Sequence, residues 1–223
     1  MNNPGKFIVF EGIDGSGKST QCKLLHRKMN QFFGSCHLTC EPSERPVGKM
    51  IREIFSGKLP MDNLVVAGLF VADRLDHLVN KEDGIINLLG QNTHVISDRY
   101  YLSSMAYQSV FAPMEWILKA NDQARQMLKA DITFYLDLDP EKGMERINHS
   151  RDSKEIYEEM ENLRSVHHNY QKALEWQKKE ENIIVISADQ PSEIIETLIW
   201  SEVQKLFLQD PGSQLSVDFF NKV

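Results

Sequence analysis

The feature that most restricts the possible folds of this chain is a glycine-rich segment close to the N-terminus. Residues 12–19 read Gly-Ile-Asp-Gly-Ser-Gly-Lys-Ser, which matches a glycine, four free positions and then Gly-Lys-Ser/Thr. The apolar residues 7–10 precede this segment, and a helical hydrophobic pattern follows it. In this context the segment predicts a phosphate-binding loop that joins a strand to a helix.

The residue types in this loop suit the binding of a purine nucleotide. Glycines permit backbone angles that direct successive N–H groups inward, a lysine ammonium reaches the outer phosphates, and a serine hydroxyl can ligate Mg²⁺. GTPases, helicases, motor ATPases and small-molecule kinases all use such a loop, so the loop alone does not identify a reaction. The predicted nucleotide-binding residues are Gly12, Ile13, Asp14, Gly15, Ser16, Gly17, Lys18, Ser19 and Thr20, with Ser19 as a metal ligand.

Short apolar segments alternate with helical segments along the rest of the chain. Most of these apolar segments are continuous, which is typical of parallel strands buried on both faces. The pattern predicts an α/β domain with a three-layer P-loop NTPase fold, in which helices cover both faces of a five-stranded parallel sheet. The predicted strands are residues 7–10, 37–41, 94–97, 132–138 and 183–187, and the predicted helices are 20–33, 47–55, 63–89, 113–128, 155–179 and 191–208.

The composition is compatible with one globular domain. With 223 residues, of which 41% are hydrophobic, the chain can bury a full core, and we assign residues 1–210 to the domain and 211–223 to a tail. The formal charge of −7 argues against a nucleic-acid or anionic-membrane surface, which requires a basic face. Neither a secretory signal nor an apolar run of membrane-spanning length is evident, so a cytoplasmic location is expected.

A charged pair follows the third predicted strand. Asp98, at the strand end, is well placed to hold Mg²⁺ through water, and the guanidinium of Arg99 can bind phosphate oxygens. Taken alone, these two residues are also compatible with an ordinary surface ion pair.

Together with the phosphate loop, residues 98–108 resemble the thymidylate kinase family, whose bacterial members carry Asp-Arg-Tyr, Ser-Ser and Ala-Tyr-Gln at the third strand. The resemblance implies an ATP-dependent kinase that passes the γ-phosphoryl group to thymidine monophosphate (dTMP) and forms a homodimer. Further matches occur in order along nearly the whole chain: Glu41, Pro42, Gly48, Arg52, Phe70, Ala72, Arg74, His77, residues 131–137, Pro140, Glu141 and residues 188–191.

By this resemblance, a set of side chains surrounds dTMP. Phe70 would stack on the thymine ring, with Arg74 and Gln108 hydrogen-bonded to its polar edge, although Phe70 on its own is typical of core packing. Arg52 has a similar alternative, as part of a solvated helix face. The other implied contacts are Arg52 and Arg99 to the phosphate, Asp14 near the 3′-hydroxyl or the phosphate, Tyr107 against the 2′ position, and Glu41, Ser103 and Ser104 as further substrate-binding residues.

A short basic lid over ATP is expected at about residues 146–158, where Arg146 and Arg151 flank a polar segment. Such a lid excludes water and offsets the charge that develops on the transferred group. Both arginines are equally compatible with solvated helix ends. The expected catalytic residues are Lys18, Arg99, Asp14 and Arg151, with Arg146 at the ATP site and Asp98 as a second metal ligand.

The sequence departs from the family pattern at two places. Cys40 stands where bacterial relatives have an arginine, and Arg45 is a candidate for the missing charge. Ile156 replaces the usual lid arginine, and Gly15 fills the position at which another branch of the family has a catalytic arginine. Arg151 is therefore the best remaining candidate for contact with the transition state.

Two other functions fit the sequence. A related kinase that acts on another nucleotide or on a nucleoside is one, because only a few side chains select the base. A nucleotide-binding regulatory protein without turnover is the other, because the lid and the position of Cys40 are altered.

Overall fold

One parallel β-sheet forms the centre of the structure. The computed structural model describes residues 5–148 and 156–208. The sheet has five strands in the spatial order β2-β3-β1-β4-β5, which confirms the predicted fold class. The strands are β1 (Phe7–Glu11), β2 (Cys36–Cys40), β3 (His94–Asp98), β4 (Ile132–Asp137) and β5 (Ile183–Ser187).

Helices surround this sheet. The first helix, α1, packs against the last, α10, and against β2 and β3, while α5 packs against α9. In the described ranges, no helix combines the length and hydrophobicity that a lipid bilayer requires. The helices are α1 (Lys18–Phe32), α2 (Pro46–Phe55), α3 (Asn63–Val79), α4 (Ile85–Gly90), α5 (Tyr101–Tyr107), α6 (Met114–Ala120), α7 (Asp122–Met127), α8 (Pro140–Asn148), α9 (Ile156–Gln177) and α10 (Ser192–Leu208), and a 3₁₀ turn spans Gln108–Val110.

Strand β1 is the middle strand and sets the position of the phosphate loop. Its apolar side chains are almost completely shielded from solvent. Phe10 is in register with Asp98 of β3 and with Phe134 of β4, and Cys40 of β2 is also in register with Asp98. The carboxyl ends of four strands therefore reach the same edge of the sheet, which is where ligands bind in open α/β folds.

Two helices that the hydrophobic pattern predicts as continuous are each interrupted. The predicted helix 63–89 divides into α3 and α4 because Asn80 leaves the helical conformation and its side chain accepts the N–H of Glu82 at 2.9 Å. The predicted helix 113–128 divides into α6 and α7 at Asn121. This residue is buried, and its amide donates to Ile117 O at 2.8 Å, so its side chain satisfies the end of α6.

Candidate active site

The phosphate loop connects β1 to α1 through residues with left-handed backbone angles. Gly12 has φ 142° and Gly15 has φ 79°. A side chain at Gly12 would place its Cβ 2.6 Å from the carbonyl oxygen of Leu136, and at Gly15 the same atom would lie 2.5 Å from Gly143 O. Only glycine fits both positions, because of the backbone angle and because of the close approach of neighbouring main chain.

Lys18 is buried at the base of this loop. Its ammonium donates to Ile13 O at 2.8 Å and lies 3.4 Å from the Ser16 hydroxyl. Burial, reinforced by the nearby cation of Arg99, lowers the pKa of Lys18 to about 8. A polyanion bound at the loop would therefore stabilise the protonated form of Lys18, because the protein alone offsets the positive charge of its ammonium only in part.

A cleft of about 440 Å³ opens over the loop. It brings together phosphate-loop residues, the end of β3 and a residue of α8, which the sequence places far apart. Its lining comprises Asp14, Gly15, Gly17, Lys18, Ser19, Thr20, Cys40, Glu41, Asp98, Arg99 and Arg146.

Two oxygen-bearing side chains in this cleft fit a divalent cation. The hydroxyl of Ser19 donates to Asp98 Oδ2 at 2.5 Å. The other carboxylate oxygen, Asp98 Oδ1, is buried and has no hydrogen-bond partner among the described residues. Such an oxygen requires a partner, and hard cations such as Mg²⁺ prefer oxygen ligands of this kind. The residues present are therefore compatible with Mg²⁺.

A second cavity, of about 240 Å³, lies beside the cleft. The two cavities share Asp14, Glu41 and Arg99, so a ligand in one would meet a ligand in the other at these three residues. The second cavity collects all the predicted substrate-binding residues except Arg52. Its lining comprises Asp14, Glu41, Pro42, Phe55, Phe70, Arg74, Arg99, Ser103, Ser104, Tyr107 and Gln108.

Arg99 stands at the junction in an unusual backbone conformation. Its φ of 81° lies in the left-handed region, which for a residue other than glycine costs about 1–3 kcal/mol. The guanidinium contacts Asp14 Oδ1 at 2.6 Å, the Tyr107 hydroxyl at 3.0 Å and Gly12 O at 3.2 Å. Burial alone would raise the pKa of Asp14, but Arg99 and Lys18 together hold it below the usual range.

Arg74 lines the cavity, but protein acceptors already engage its donors. Nε and Nη2 lie 2.8 and 2.6 Å from Glu41 Oε2, and Nη2 also contacts Tyr100 O at 3.1 Å. Nη1 donates to the Ser104 hydroxyl and to the side-chain oxygen of Asn121. Because these contacts use all five N–H bonds of a guanidinium, Arg74 has no free donor for a ligand in this arrangement.

Unlike Arg74, Gln108 and Phe70 have side-chain groups that are available to a ligand in the second cavity. Gln108 is buried in the cavity wall, and within residues 5–148 and 156–208 its side-chain amide makes no hydrogen bond. Phe70 is partly exposed in the cavity, and its ring centroid lies 6.1 Å from that of Phe55. A free amide and an exposed ring are the elements that recognition of a planar base requires.

Arg52 lies outside both linings. Its guanidinium donates to Ser43 O at 2.5 Å and to Pro42 O at 2.7 Å, and it pairs with the exposed carboxylate of Glu44 at 2.7 Å. Pro42 itself lines the second cavity, so Arg52 is hydrogen-bonded to a residue of the cavity wall. The prediction that Arg52 contacts a phosphate therefore requires an exchange of partners.

Arg45, the candidate for the charge missing at position 40, lies close to the cleft but is paired with carboxylates. It lines a neighbouring cavity of about 460 Å³ that also includes Ser19, Cys40 and Asp98. Its guanidinium is paired with Asp76 at 2.6 Å and with Asp83 at 2.6 Å, and it lines neither the nucleotide cleft nor the second cavity. Cys40 itself reaches the nucleotide cleft, where burial raises the pKa of its thiol. The side chain at position 40 is thus neutral. For Arg45 to supply the missing charge it would have to leave Asp76 and Asp83, so this role stays a prediction.

Part of the predicted lid lies outside the described residues. Arg146 belongs to α8 and lines the nucleotide cleft, where its guanidinium contacts Gly15 O at 3.3 Å and Ala188 O at 2.9 Å. Arg151 falls in the segment 149–155, which the structure does not describe. Its catalytic role therefore stays a prediction.

The structure also shows site residues that the sequence did not single out. Glu11 and Tyr170 form a hydrogen-bond network beneath Arg99, and Asn121 accepts a bond from Arg74. Glu11 carried a signal, because a charged residue ends an otherwise apolar strand. Tyr170 and Asn121 carried none, because Tyr170 lies within α9 and Asn121 between α6 and α7, both far from Glu11 and Arg74 in sequence.

Comparison with known proteins agrees with this geometry. A sequence model of a family described as "Thymidylate kinase" matches residues 10–199. The "Probable thymidylate kinase" of Methanocaldococcus jannaschii is 42% identical over 186 residues, which cover 83% of this chain and 88% of the relative. The "Thymidylate kinase" of Leptospira interrogans serovar Lai is 36% identical over 170 residues, which cover 75% of this chain and 81% of the relative. Because the family model matches residues 10–199 and both relatives are more than 30% identical over at least three quarters of the chain, the chain belongs to the thymidylate kinase family.

Proposed function

We propose that this chain is a dTMP kinase, which transfers the γ-phosphoryl group of ATP to dTMP and gives dTDP and ADP. The observation that carries the proposal is the meeting of a phosphate-loop cleft and a base-sized cavity at Asp14, Glu41 and Arg99. A donor phosphate and an acceptor phosphate would come together there, as phosphoryl transfer requires.

On the donor side, the phosphate loop binds the triphosphate through its N–H groups, and Lys18 leaves Ile13 O to contact the outer phosphates. Ser19 and Asp98 would hold Mg²⁺, which would neutralise phosphate charge when bound. Arg146, at the end of α8, lies where it can contact the nucleotide. Arg151 remains our candidate for a cation that closes over the transferred group.

On the acceptor side, Phe70 stacks on the thymine ring, and the side-chain amide of Gln108 hydrogen-bonds to the polar edge of that ring. Tyr107 lines the second cavity, and its hydroxyl donates to Asp14 at the junction at 3.0 Å, where the sugar of dTMP would pass between the two cavities. Arg99 then exchanges part of its contact with Asp14 for the acceptor phosphate. No general base is needed, because a phosphate oxygen is already ionised, so positioning and charge stabilisation carry the reaction.

A substrate panel tests this function. We would measure ADP release with Mg·ATP and dTMP, dUMP, dCMP, dGMP, UMP or thymidine, for the wild type and for Gln108→Leu. The wild type should prefer dTMP, and the loss of one base contact should raise KM for dTMP by roughly 10–100-fold. Gln123→Leu, at an exposed position of α7, is the matched control and should not change KM.

The alternatives predict different results in the same panel. Turnover of another acceptor would support a related kinase, since the phosphate machinery would be intact. Binding of ATP without turnover of any acceptor would support a regulatory protein.

The affinity for ATP should depend on pH through Lys18. The pKa of Lys18 is about 8 in the free protein, and bound phosphate should raise it, so binding is coupled to uptake of a proton above pH 8. The dissociation constant should therefore rise roughly tenfold between pH 7 and pH 9, and Lys18→Met should abolish this dependence. Calorimetry in buffers of different ionisation enthalpy would count the protons; no uptake at pH 9 would contradict the prediction.

The assembly and location of the protein are further parts of this proposal. A homodimer follows from the family resemblance, and light scattering of the purified chain would test it. A cytoplasmic location, with no nucleic-acid or membrane partner, is consistent with the acidic composition.

A further inference from the structure

A buried carboxylate at the end of β1 has no part in the mechanism above. Glu11 immediately precedes the phosphate loop, and none of its surface is exposed to solvent. Its Oε1 accepts the N–H groups of Tyr100 and Ser103 at 2.8 and 3.2 Å. Its Oε2 accepts the hydroxyls of Ser103 and Tyr170 at 2.5 and 2.9 Å. Because four donors converge on two oxygens, the site suits an ionised carboxylate, which has only acceptors.

The groups that Glu11 contacts are next to Arg99 in the chain or lie close to its guanidinium. The N–H of Tyr100 belongs to the peptide bond that follows Arg99, so its bond to Glu11 fixes the chain directly after the left-handed residue. The hydroxyls of Ser103 and Tyr170 lie 3.2 and 3.3 Å from Arg99 Nη1. The two hydroxyls also lie 2.8 Å from each other, so each has a second possible acceptor besides Glu11. In the arrangement in which both donate to the ionised carboxylate, their lone pairs are left to accept from the guanidinium. The same carboxylate therefore sets both the backbone and the side chain of Arg99.

We propose that Glu11 is a positioning residue for phosphoryl transfer, which holds Arg99 in the orientation that binds the acceptor phosphate. Glu11 itself touches no substrate, because it lines neither cavity. The inference rests on the proposed function for the identity of the acceptor, whereas the network itself consists only of protein atoms.

The chemistry of the position favours this role over simple packing. Burial raises the pKa of Glu11, and the surrounding donors and Arg99 offset this effect only in part. An apolar residue would fill the same space without that penalty. A buried acid that is connected to a cation through two hydroxyls instead provides a fixed, oriented set of acceptors for that cation.

Glu11→Gln keeps the size of the side chain and tests the proposal. Its amide nitrogen donates, so the two hydroxyls must turn and lose their present orientation toward Arg99. We expect dTMP to bind roughly tenfold more weakly and kcat to fall by roughly 10–100-fold, with KM for ATP nearly unchanged. This division between acceptor and donor parameters is the signature of an effect that passes through Arg99.

A control is available in Asp131, which immediately precedes β4 and whose side chain contacts the other end of β1. Asp131 accepts the N–H of Phe7 at 2.7 Å, at the opposite end of β1 from Glu11. Asp131→Asn likewise exchanges a carboxylate for an amide at a strand terminus, and it should alter neither dTMP affinity nor kcat. If both variants lost activity in parallel with their melting temperatures, Glu11 would have a structural role only and the proposal would be overturned.

A double-mutant cycle on dTMP affinity separates direct from transmitted effects. In an Arg99→Ala background, Glu11→Gln should have no further effect on dTMP binding, because the residue through which it acts is absent. An equal effect in both backgrounds would refute the proposal. Should Glu11→Gln fold poorly, Tyr170→Phe removes one of the two connecting hydroxyls and should weaken dTMP binding by roughly fivefold.

One measurement requires no substrate. The ¹⁵N resonances of the Arg99 guanidinium report its rotation about Nε–Cζ, which should be slow in the wild type and faster in Glu11→Gln. Failure of the wild type to bind dTMP would overturn the proposed function. An unchanged rotation rate in Glu11→Gln would overturn the role of Glu11, so the two failures are distinguishable.

Discussion

Replacing Lys18 with methionine is expected to lower kcat for phosphoryl transfer by ~10³-fold, which corresponds to about 4 kcal/mol of transition-state stabilisation. Methionine fills a similar volume but carries no charge. In the proposed reaction, Lys18 is the cation at the base of the phosphate loop, 2.8 Å from the carbonyl of Ile13 before nucleotide binds. During transfer, negative charge increases on the oxygens between the β- and γ-phosphates, and the Lys18 ammonium would stabilise that charge. Loss of the ammonium should therefore affect the transition state more than ground-state binding.

The same substitution should not destabilise the fold. The pKa of Lys18 is lowered because the folded protein disfavours its charged form, so removal of the charge relieves a penalty. We expect a melting temperature equal to or above that of the wild type. Lys23→Met is the matched control, because Lys23 is exposed on the same helix α1 and does not line the nucleotide cleft. A loss of activity in Lys18→Met that accompanied a large fall in melting temperature would contradict this interpretation.

The elements predicted from the sequence were those with a strong local signal. The phosphate loop has a fixed spacing, and most strands are continuous apolar runs, so their order along the chain and their parallel arrangement could be predicted. Hydrophobic periodicity could not show where helices 63–89 and 113–128 are interrupted. In each case a polar residue, Asn80 or Asn121, satisfies local main-chain groups and ends a helix that the apolar pattern would continue.

The partners of the charged residues could not be predicted. Arg45 and Arg74 have the same residue type, but one pairs with exposed and half-exposed carboxylates and the other is completely enclosed. Arg74 and Asp76 both belong to α3, and the orientation of this helix decides that Arg74 meets Glu41 whereas Asp76 meets Arg45. A sequence pattern does not specify that orientation. Similarly, Tyr170 reaches Glu11 from α9, across 159 positions of sequence, and no local pattern connects them.

Arg74 and Glu41 form the buried ion pair on which the acceptor side of the site is built. Their side chains are 1% and 2% exposed, and their closest N–O distance is 2.6 Å. Arg74 also holds Ser104 and Asn121, so this one guanidinium connects α3 with the end of β2, with α5 and with the junction of α6 and α7. Its replacement should consequently affect the stability of the whole site and not only the recognition of a base.

Arg74→Met is expected to lower the free energy of unfolding by about 3–5 kcal/mol at pH 8, because it leaves the carboxylate of Glu41 buried without its cation. Arg45→Met, which removes a partly exposed cation from the same neighbourhood, should lower it by at most about 1 kcal/mol. The double variant Arg74→Met/Glu41→Gln should recover much of the loss, since no unpaired charge remains. Urea unfolding of the four proteins, including the wild type, measures these differences.

The loss in Arg74→Met should also depend on pH, with a sign fixed by Glu41. In the wild type, burial would raise the pKa of Glu41, but Arg74 and His77 outweigh it and hold that pKa below its ordinary value. The contribution of Glu41 to wild-type stability is therefore present above its unfolded-state pKa and lost only in acid. Without Arg74, burial dominates and the pKa should be raised, so the variant loses stability as pH increases above the unfolded-state value. At pH 5 Glu41 can take up a proton and avoid an unpaired charge, and the destabilisation should be smaller than at pH 8; an equal loss at both pH values would mean that lost hydrogen bonds and packing, rather than the buried charge, account for the effect.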